Sequence, residues 1–367
     1  MSREISKFSS RDFLFMRRAL RLAARGIPFV SSNPVVGAVV SRGKKILAQG
    51  WHARFGGPHA EADAIEKARK KKLSLRGSTM YVTLEPCIHE NKKTPPCAPE
   101  IIKSGIKRVV IAVRDPNPRV NGRAILALKK AGIEVTESCM EEAARKLNEK
   151  FFHFMKTGCP FVALKIASSL DGKIATRNRD SKWITSKKSR DFARKLRDSY
   201  DAILVGINTV LKDDPGLGGT KRDPLRIILD SYLKIPPKSK VLRNKSVLLV
   251  CSARAPKSKI NFFRKRGCTV KIFPNRIKIT PLLRYLGALD ISSIFVEGGS
   301  TVAGSFLDSG AVNKAYWFIA PKIVGGRDAV PAISGKGADK IKNALNLHDV
   351  KIKRIGDDLF IEASTGP

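Results

Sequence analysis

Pro58-His59-Ala60-Glu61, Thr83-Leu84-Glu85-Pro86-Cys87 and Thr94-Pro95-Pro96-Cys97 are the three stretches on which the reading of this chain turns. They supply one imidazole, two thiols and a carboxylate, Glu61, that is not needed as a ligand. His59, Cys87 and Cys97 are donors of the kind Zn²⁺ takes, and three protein ligands leave a fourth position for water. Zinc lowers the pKa of that water towards neutrality, and a carboxylate beside it can carry protons. Each residue alone has a plainer reading: a satisfied core histidine, a solvated helix charge, two buried thiols. Their joint order is what favours a catalytic metal. A purely structural zinc site is the stronger competitor, but it would want a fourth ligand.

The flanking sequence places these residues on element ends. Gly56-Gly57-Pro58 stops a strand and puts a proline at a helix start, with His59 and Glu61 in the first turn and Ala60, Ala64, Ile65 and Ala68 along an apolar face. Thr79–Leu84 reads as a strand with Cys87 just beyond its carboxyl end. Cys97 opens a second helix through Ile101 and Ile102, where exposed N–H groups favour a thiolate.

Outward from there the chain reads as two α/β units. Strands are expected near Val35–Val40, Lys45–Gln49, Thr79–Leu84, Arg108–Val113 and Glu134–Val135, alternating with helices over 12–24, 60–72, 98–104 and 122–131. That rhythm predicts a mostly parallel, helix-covered sheet. Glu141 to Met155 reads as one amphipathic helix broken by Gly158-Cys159-Pro160, so the boundary is expected near 145–160, with domains at 1–150 and 151–367. The second unit opens on the apolar run Phe161–Ala167, interrupted by Lys165, which must find a partner, water or a ligand. Further strands are expected at Ala202–Gly206, Leu225–Leu229, Val247–Cys251, Thr269–Phe273, Ser293–Val296, Lys314–Ile319 and Leu359–Glu362. No G-x-G-x-x-G is present. Glu297-Gly298-Gly299-Ser300-Thr301 instead sits between a strand and a helix, where glycines let backbone N–H groups approach a pyrophosphate, although a tight turn is the commoner reason for them.

Composition sets the bounds. A length of 367 residues suits two domains, and 43% hydrophobic content excludes a disordered chain. No apolar run is long enough to cross a bilayer, and a helical pattern from Asp12 leaves no room upstream for a targeting peptide. Six cysteines, two of them assigned to zinc, give no disulfide framework and fit a reducing cytoplasm. Seventy Lys plus Arg against 32 Asp plus Glu give +38 and raise nucleic acid as a partner. The excess is spread over both halves, +16 in residues 1–150 and +22 in 151–367, with no basic tail or aromatic-interleaved patch. It reads as a general bias that helps to attract phosphorylated substrates, without specific nucleic-acid binding.

With Asn33-Pro34-Val35-Val36-Gly37, Gly50-Trp51-His52, Arg114-Asp115-Pro116-Asn117-Pro118, Ser169-Leu170-Asp171-Gly172, Trp183-Ile184-Thr185, Asp213-Asp214-Pro215 and Ala320-Pro321-Lys322 added, the chain resembles a known family nearly end to end. It is similar to the bifunctional riboflavin-biosynthesis enzymes, a pyrimidine deaminase fused to a ribosyl reductase. The resemblance implies a cytidine-deaminase-like three-layer α/β/α domain followed by a dihydrofolate-reductase-like α/β domain. It further implies one Zn²⁺ per chain, NADPH, phosphorylated pyrimidine substrates, no membrane partner and a homo-oligomer, dimer or tetramer. Glu61 would be the proton shuttle. Asn33, His52, His89, Lys93, Asp115 and Asn117 would line the deaminase pocket. Ser181, Arg197, Leu217 and Glu297 would meet the reductase substrate, and Lys165 would reach its reacting carbon. Ala167, Trp183, Thr209, Asp213, Ser231 and the run Gly299, Ser300, Thr301, Val302, Ala303, Gly304 and Ser305 would hold NADPH.

Two departures stand out. Nine residues separate Cys87 from Cys97, one more than in common relatives and far more than the two usual in nucleic-acid deaminases. Leu217 leads into Gly218-Gly219-Thr220 where relatives often carry an arginine, which leaves Lys221 or Arg222 to meet phosphate. Two other classes were open: a nucleic-acid deaminase, which predicts C-x-x-C spacing and leaves the second half unexplained, and a deaminase whose second half is only a scaffold. Lys165, Asp171, Asp213 and Glu297 argue against the scaffold.

Overall fold

The computed structural model describes residues 7–88, 95–118, 120–243 and 246–366. The chain divides into two compact units, 1–157 and 158–367. The last helix before Gly158 therefore belongs with the first unit, and the division falls later than residue 150.

The first unit holds β1 (Gly37–Arg42), β2 (Lys45–Trp51), β3 (Thr79–Val82), β4 (Arg108–Ile111) and β5 (Glu134–Glu137), with α1 (Ser10–Ala23), α2 (Ala60–Lys70), α3 (Cys97–Lys103), α4 (Arg123–Lys130), α5 (Glu141–Leu147) and α6 (Glu149–Thr157). Strand order is β2-β1-β3-β4-β5. β3, β4 and β5 run parallel, while β1 pairs antiparallel with both β2 and β3, so the sheet is mixed rather than mostly parallel. The short link between β1 and β2 leaves no room for the crossover that parallel neighbours need. Apolar side chains of α1, α2, α3 and α4 pack with the sheet in one core, Met16, Ala64, Ile101 and Leu128 among them. Ser9 caps α1 in a reciprocal box with Asp12. Asp12 is itself buried, accepting from Arg108 at 2.8 Å and from the Tyr81 hydroxyl at 3.0 Å. The single helix expected over 141–155 is two. Asn148 separates them, its side chain accepting from Val35 N–H and donating to Val35 O, both at 2.9 Å. An asparagine so engaged competes with helix continuation.

The second unit holds β6 (Phe161–Ser169), β7 (Lys173–Ala175), β8 (Ala202–Gly206), β9 (Leu225–Leu229), β10 (Val247–Ser252), β11 (Thr269–Phe273), β12 (Ser293–Val296), β13 (Lys314–Ala320), β14 (Val330–Pro331), β15 (His348–Ile355) and β16 (Asp358–Ser364). Its helices are α7 (Lys187–Arg197), α8 (Ile207–Asp213), α9 (Lys257–Lys265), α10 (Ile279–Ala288) and α11 (Ser300–Asp308). Nine strands form one sheet in the order β11-β10-β9-β8-β12-β6-β13-β16-β15, and β7 pairs with β14 alone. Neighbours from β11 to β13 are parallel; β16 is antiparallel to β13 and to β15. β8, β10 and β12 are buried on both faces, the pattern of parallel strands covered by helices on each side. β6 shows the two faces directly: Phe161 and Ala163 enter one core, Val162, Leu164 and Ile166 the other. β15 was not expected, although Val350-Lys351-Ile352-Lys353 alternates with a period of two. Among the described residues no helix is long and apolar enough to cross a membrane.

Candidate active sites

His59 is the N-cap of α2 rather than its first residue, which places Glu61 in the first turn. Cys87 follows β3 and Cys97 opens α3 behind Pro96. The three meet. His59 Nδ1 lies 3.3 Å from Cys97 Sγ and 3.4 Å from Cys87 Sγ, and the three ligand atoms all lie within 4.8 Å of one another. No fourth His, Cys, Asp or Glu among the described residues joins the group, as an open catalytic site requires. The hydrogen bond from Cys97, with His59 in support, holds the Cys87 thiol far below its usual range, while Cys97 is pushed up. Such a pair carries one anion ready for a metal. Glu61 is buried beside them, and burial together with the Cys87 charge raises its carboxyl to about 6. These donors fit zinc.

His52 stands edge-on to His59, ring centroids 5.4 Å apart. Its Nδ1–H donates to Pro58 O at 2.9 Å, which leaves Nε2 to accept from Asn33 Nδ2 at 3.3 Å. Asn33, His52, Glu61 and Asp115 line one cleft with His59 and Cys87, the expected zinc ligands. Asn117 lies just behind, its N–H donating to Asp115 Oδ1 at 2.8 Å. His89 and Lys93 fall outside the described residues. Glu85, quoted in the sequence only as a neighbour of Cys87, also lines the cleft. Its signal was a carboxylate directly after a buried strand.

The residues expected to form the reductase site gather on the second sheet. Arg197, ending α7, forms a two-pronged pair with Glu297 at the end of β12, Nε–Oε1 2.5 Å and Nη2–Oε2 3.0 Å. Arg197 Nη1 also donates to Gly218 O at 3.0 Å, next to the buried Leu217. Lys165 lies on the same side of β6, its Nζ 5.8 Å from the Phe318 ring centroid. Burial lowers the Lys165 pKa and the nearby Glu297 charge opposes that. Burial acts to raise the Glu297 carboxyl, but Arg197 and Lys165 outweigh it and hold it below its ordinary value.

Gly299 caps α11. A Cβ on Gly299 would meet nothing, whereas one on Gly298 would sit 2.4 Å from Val302 Cβ and one on Gly304 1.4 Å from Ser334 O. The turn is thus open where a pyrophosphate would approach and tight behind it, which fits NADPH. Gly299, Thr301, Val302 and Ser305 keep exposed surface, while Ser300, Ala303 and Gly304 are buried, with Ser300 Oγ 2.5 Å from Ser334 Oγ. Thr209 and Asp213 lie on α8, and Asp213 Oδ1 is 3.7 Å from Lys182 Nζ. Ala167 on β6 and Ser231 after β9 are half-buried at the same sheet. Trp183 is 61% exposed, with Arg190 Cζ 4.2 Å from its ring centroid, on the loop that carries Ser181. Asp198 gathers the main-chain N–H groups of Thr220 (2.7 Å) and Lys221 (2.9 Å). Arg222 is drawn to Asp201 at 3.5 Å, which leaves Lys221 as the exposed cation of that loop.

Comparison with known proteins agrees with this geometry. Residues 160–361 match the model of the RibD C-terminal domain, and residues 9–113 match the cytidine and deoxycytidylate deaminase zinc-binding region. The riboflavin biosynthesis protein RibD of Bacillus amyloliquefaciens is 42% identical over 95% of this chain and 95% of its own. The chain belongs to the RibD family. Among solved structures, RibD of Acinetobacter baumannii superposes with a TM-score of 0.87 at 31% identity, covering 97% of this chain and 99% of that one. A Thermotoga maritima diaminohydroxyphosphoribosylaminopyrimidine deaminase/5-amino-6-(5-phosphoribosylamino)uracil reductase gives 0.85 at 39%, with the same coverage. The chain is therefore an enzyme of riboflavin biosynthesis that uses zinc in its deaminase half and NADPH in its reductase half. The scaffold alternative for the second half falls with that match, and so does the nucleic-acid deaminase.

Proposed function

We propose that the first unit converts 2,5-diamino-6-(5-phosphoribosylamino)pyrimidin-4-one to 5-amino-6-(5-phosphoribosylamino)uracil, and that the second reduces the ribosyl group of that product to ribityl. The observation that carries the reading is the meeting of His59, Cys87 and Cys97, ligand atoms within 4.8 Å, beside the buried Glu61. When bound there, zinc supplies an activated water. Glu61 takes a proton from the attacking water and passes it to the ring nitrogen, then carries the remaining hydroxyl proton to the departing amine, so that a ring carbonyl and ammonia result; a carboxyl raised to about 6 suits this work. Asn33, His52, Asp115 and Asn117 orient the ring, and His89 and Lys93 belong to the same assignment.

In the second unit Glu297 and Arg197, with Ser181 and Leu217, hold the phosphoribosyl substrate, and Lys221 is the cation placed for its phosphate. Lys165 faces the reacting carbon as proton donor. Ala167, Trp183, Thr209, Asp213, Ser231 and residues 299–305 bind NADPH, which supplies the hydride. We assign the deaminase to the first unit, residues 1–157, and the reductase to the second, residues 158–367, in a cytoplasmic homo-oligomer, a setting that cysteines without disulfides among the described residues support. Incubating the full chain with the diaminopyrimidine, with and without NADPH, and weighing the products tests this directly. Exchange of an amine for a carbonyl without NADPH, then addition of two hydrogens with it, is expected; an unchanged substrate mass refutes the reading.

A further inference from the structure

Glu85 is a buried carboxylate of the deaminase cleft to which the chemistry above gives no task. It lies between the end of β3 and the ligand Cys87, and its own N–H donates to Val113 O at 2.9 Å beyond β4. Only 3% of the residue is exposed. Oε2 accepts the main-chain N–H of Asp115 at 3.3 Å and that of Gly122 at 3.0 Å. Gly122 is the N-cap of α4, held at φ +78. Oε1 is buried without a hydrogen-bond partner. Oε2 thus anchors two backbone groups from beyond the next strand, and the N–H groups of Ala124 and Ile125 in the first turn of α4 also face the carboxylate.

We propose that Glu85 is a positioning residue for deamination: it clamps the backbone of Asp115 and Gly122 to the segment that carries Cys87, and so fixes where the Asp115 carboxylate meets the substrate ring. The inference rests on the reading of Asp115 as a substrate contact. Charge-assisted bonds to a buried carboxylate are strong, and two N–H groups stripped of their acceptor here would have to move to find another. Asp115 moves with its N–H, and so does Asn117, whose N–H is bound to Asp115 Oδ1. Small displacements of a binding group are costly to a reaction that depends on orientation.

The test is a double-mutant cycle in the full chain, with Glu85→Ala, Asp115→Asn and both together. Asn at 115 keeps an oxygen for the Asn117 N–H and removes the charge that meets the ring. Glu85→Ala is expected to raise the deaminase KM about tenfold with kcat within about threefold, the mark of lost substrate binding. In the double variant the KM should be no worse than in the worse single one. Zinc content and the rate of NADPH oxidation on the deaminated intermediate should match the wild type. Glu85→Gln should restore KM, because its amide oxygen can take both N–H groups and its nitrogen falls where Oε1 accepts nothing. Should Glu85→Ala lose its near-UV dichroism, Glu85→Asp carries the same cycle, since its shorter arm stretches both bonds. Wild-type KM in Glu85→Ala, independent losses that multiply in the double variant, or a Glu85→Gln as impaired as Ala would each overturn the proposal. So would an Asp115→Asn with wild-type KM. A wild-type chain that deaminates nothing would instead sink the reading on which it rests.

Discussion

Replacing Glu297 by glutamine keeps the shape of the proposed reductase site and removes the negative charge that faces Arg197 and Lys165. Arg197 and Glu297 are 17% and 11% exposed at the side chain, and their contacts of 2.5 and 3.0 Å are those of a desolvated pair. At that separation the gross attraction is about 6 kcal/mol for an effective dielectric of roughly 20, much of it offset by the cost of burying the charges. Breaking a buried pair by removing one partner costs about 3–5 kcal/mol, because the other charge stays behind. Here two cations remain, Arg197 and Lys165, while the amide oxygen of glutamine keeps a hydrogen bond to Arg197. The low end, about 3 kcal/mol, is therefore expected. In a unit of this size that lowers the melting temperature by about 6–12 °C.

The same substitution has a signature in pH. The Glu297 carboxyl titrates below its ordinary value in the folded chain, so its stabilisation is complete above the unfolded carboxylate pKa and is lost as pH falls through the folded one. The wild-type melting temperature of the reductase transition should thus fall on acidification below pH of about 4.5, and that of Glu297→Gln should fall less. Calorimetry across that range, with deaminase activity as an internal control for folding of the other unit, measures both. A variant that melts within about 2 °C of the wild type at neutral pH, with an unaltered acid slope, refutes the claim that Glu297 neutralises buried cations.

Glu61→Gln should retain zinc and lose deamination by a factor of roughly 10²–10⁴, the usual worth of a proton shuttle, while reduction of the intermediate continues. If both activities fall with the fold intact, the two sites are not independent. Cys87→Ser should empty the metal site, and an unchanged zinc content by elemental analysis removes Cys87 from the ligand set. Gly304→Ala puts a methyl group 1.4 Å from Ser334 O, so α11 must shift away from it. NADPH affinity by fluorescence titration should weaken about tenfold, and affinity equal to wild type would show that α11 does not position the cofactor.

How much of this was legible in the chain depends on how far apart the partners lie. The zinc site could be read because each ligand carries its own local signal: a proline-led helix start before His59, a strand end before Cys87, a second helix start at Cys97. The central strands could be read as apolar runs for the same reason. The break at Asn148 could not, since its partner is the backbone of Val35, 113 residues away. Nor could the pairing of Arg197 with Glu297, separated by 100 residues, be derived from either residue; only the family resemblance suggested that both face one substrate. Glu85 escaped for another reason. Its partners are two backbone N–H groups, and a backbone group leaves no mark in a sequence. The antiparallel setting of β1 was missed because alternation and length report a strand but not its direction.

Both units obey one rule of open α/β sheets, that ligands meet the carboxyl ends of parallel strands. In the first unit Glu85 and Cys87 follow β3 and Asp115 follows β4, while His59 and Cys97 come from the starts of α2 and α3. In the second, Thr209 and Asp213 follow β8, Ser231 follows β9 and Glu297 follows β12 ahead of α11. At those ends the strand stops supplying hydrogen bonds and the next helix has not yet begun to satisfy its own N–H groups, so polar side chains and ligands find partners there. The hydrophobic clusters keep the two units apart, since each draws its members from one unit only. Zinc chemistry and hydride chemistry can therefore occupy one chain without sharing a residue. A substitution that disables one and leaves the other running is the behaviour this arrangement requires.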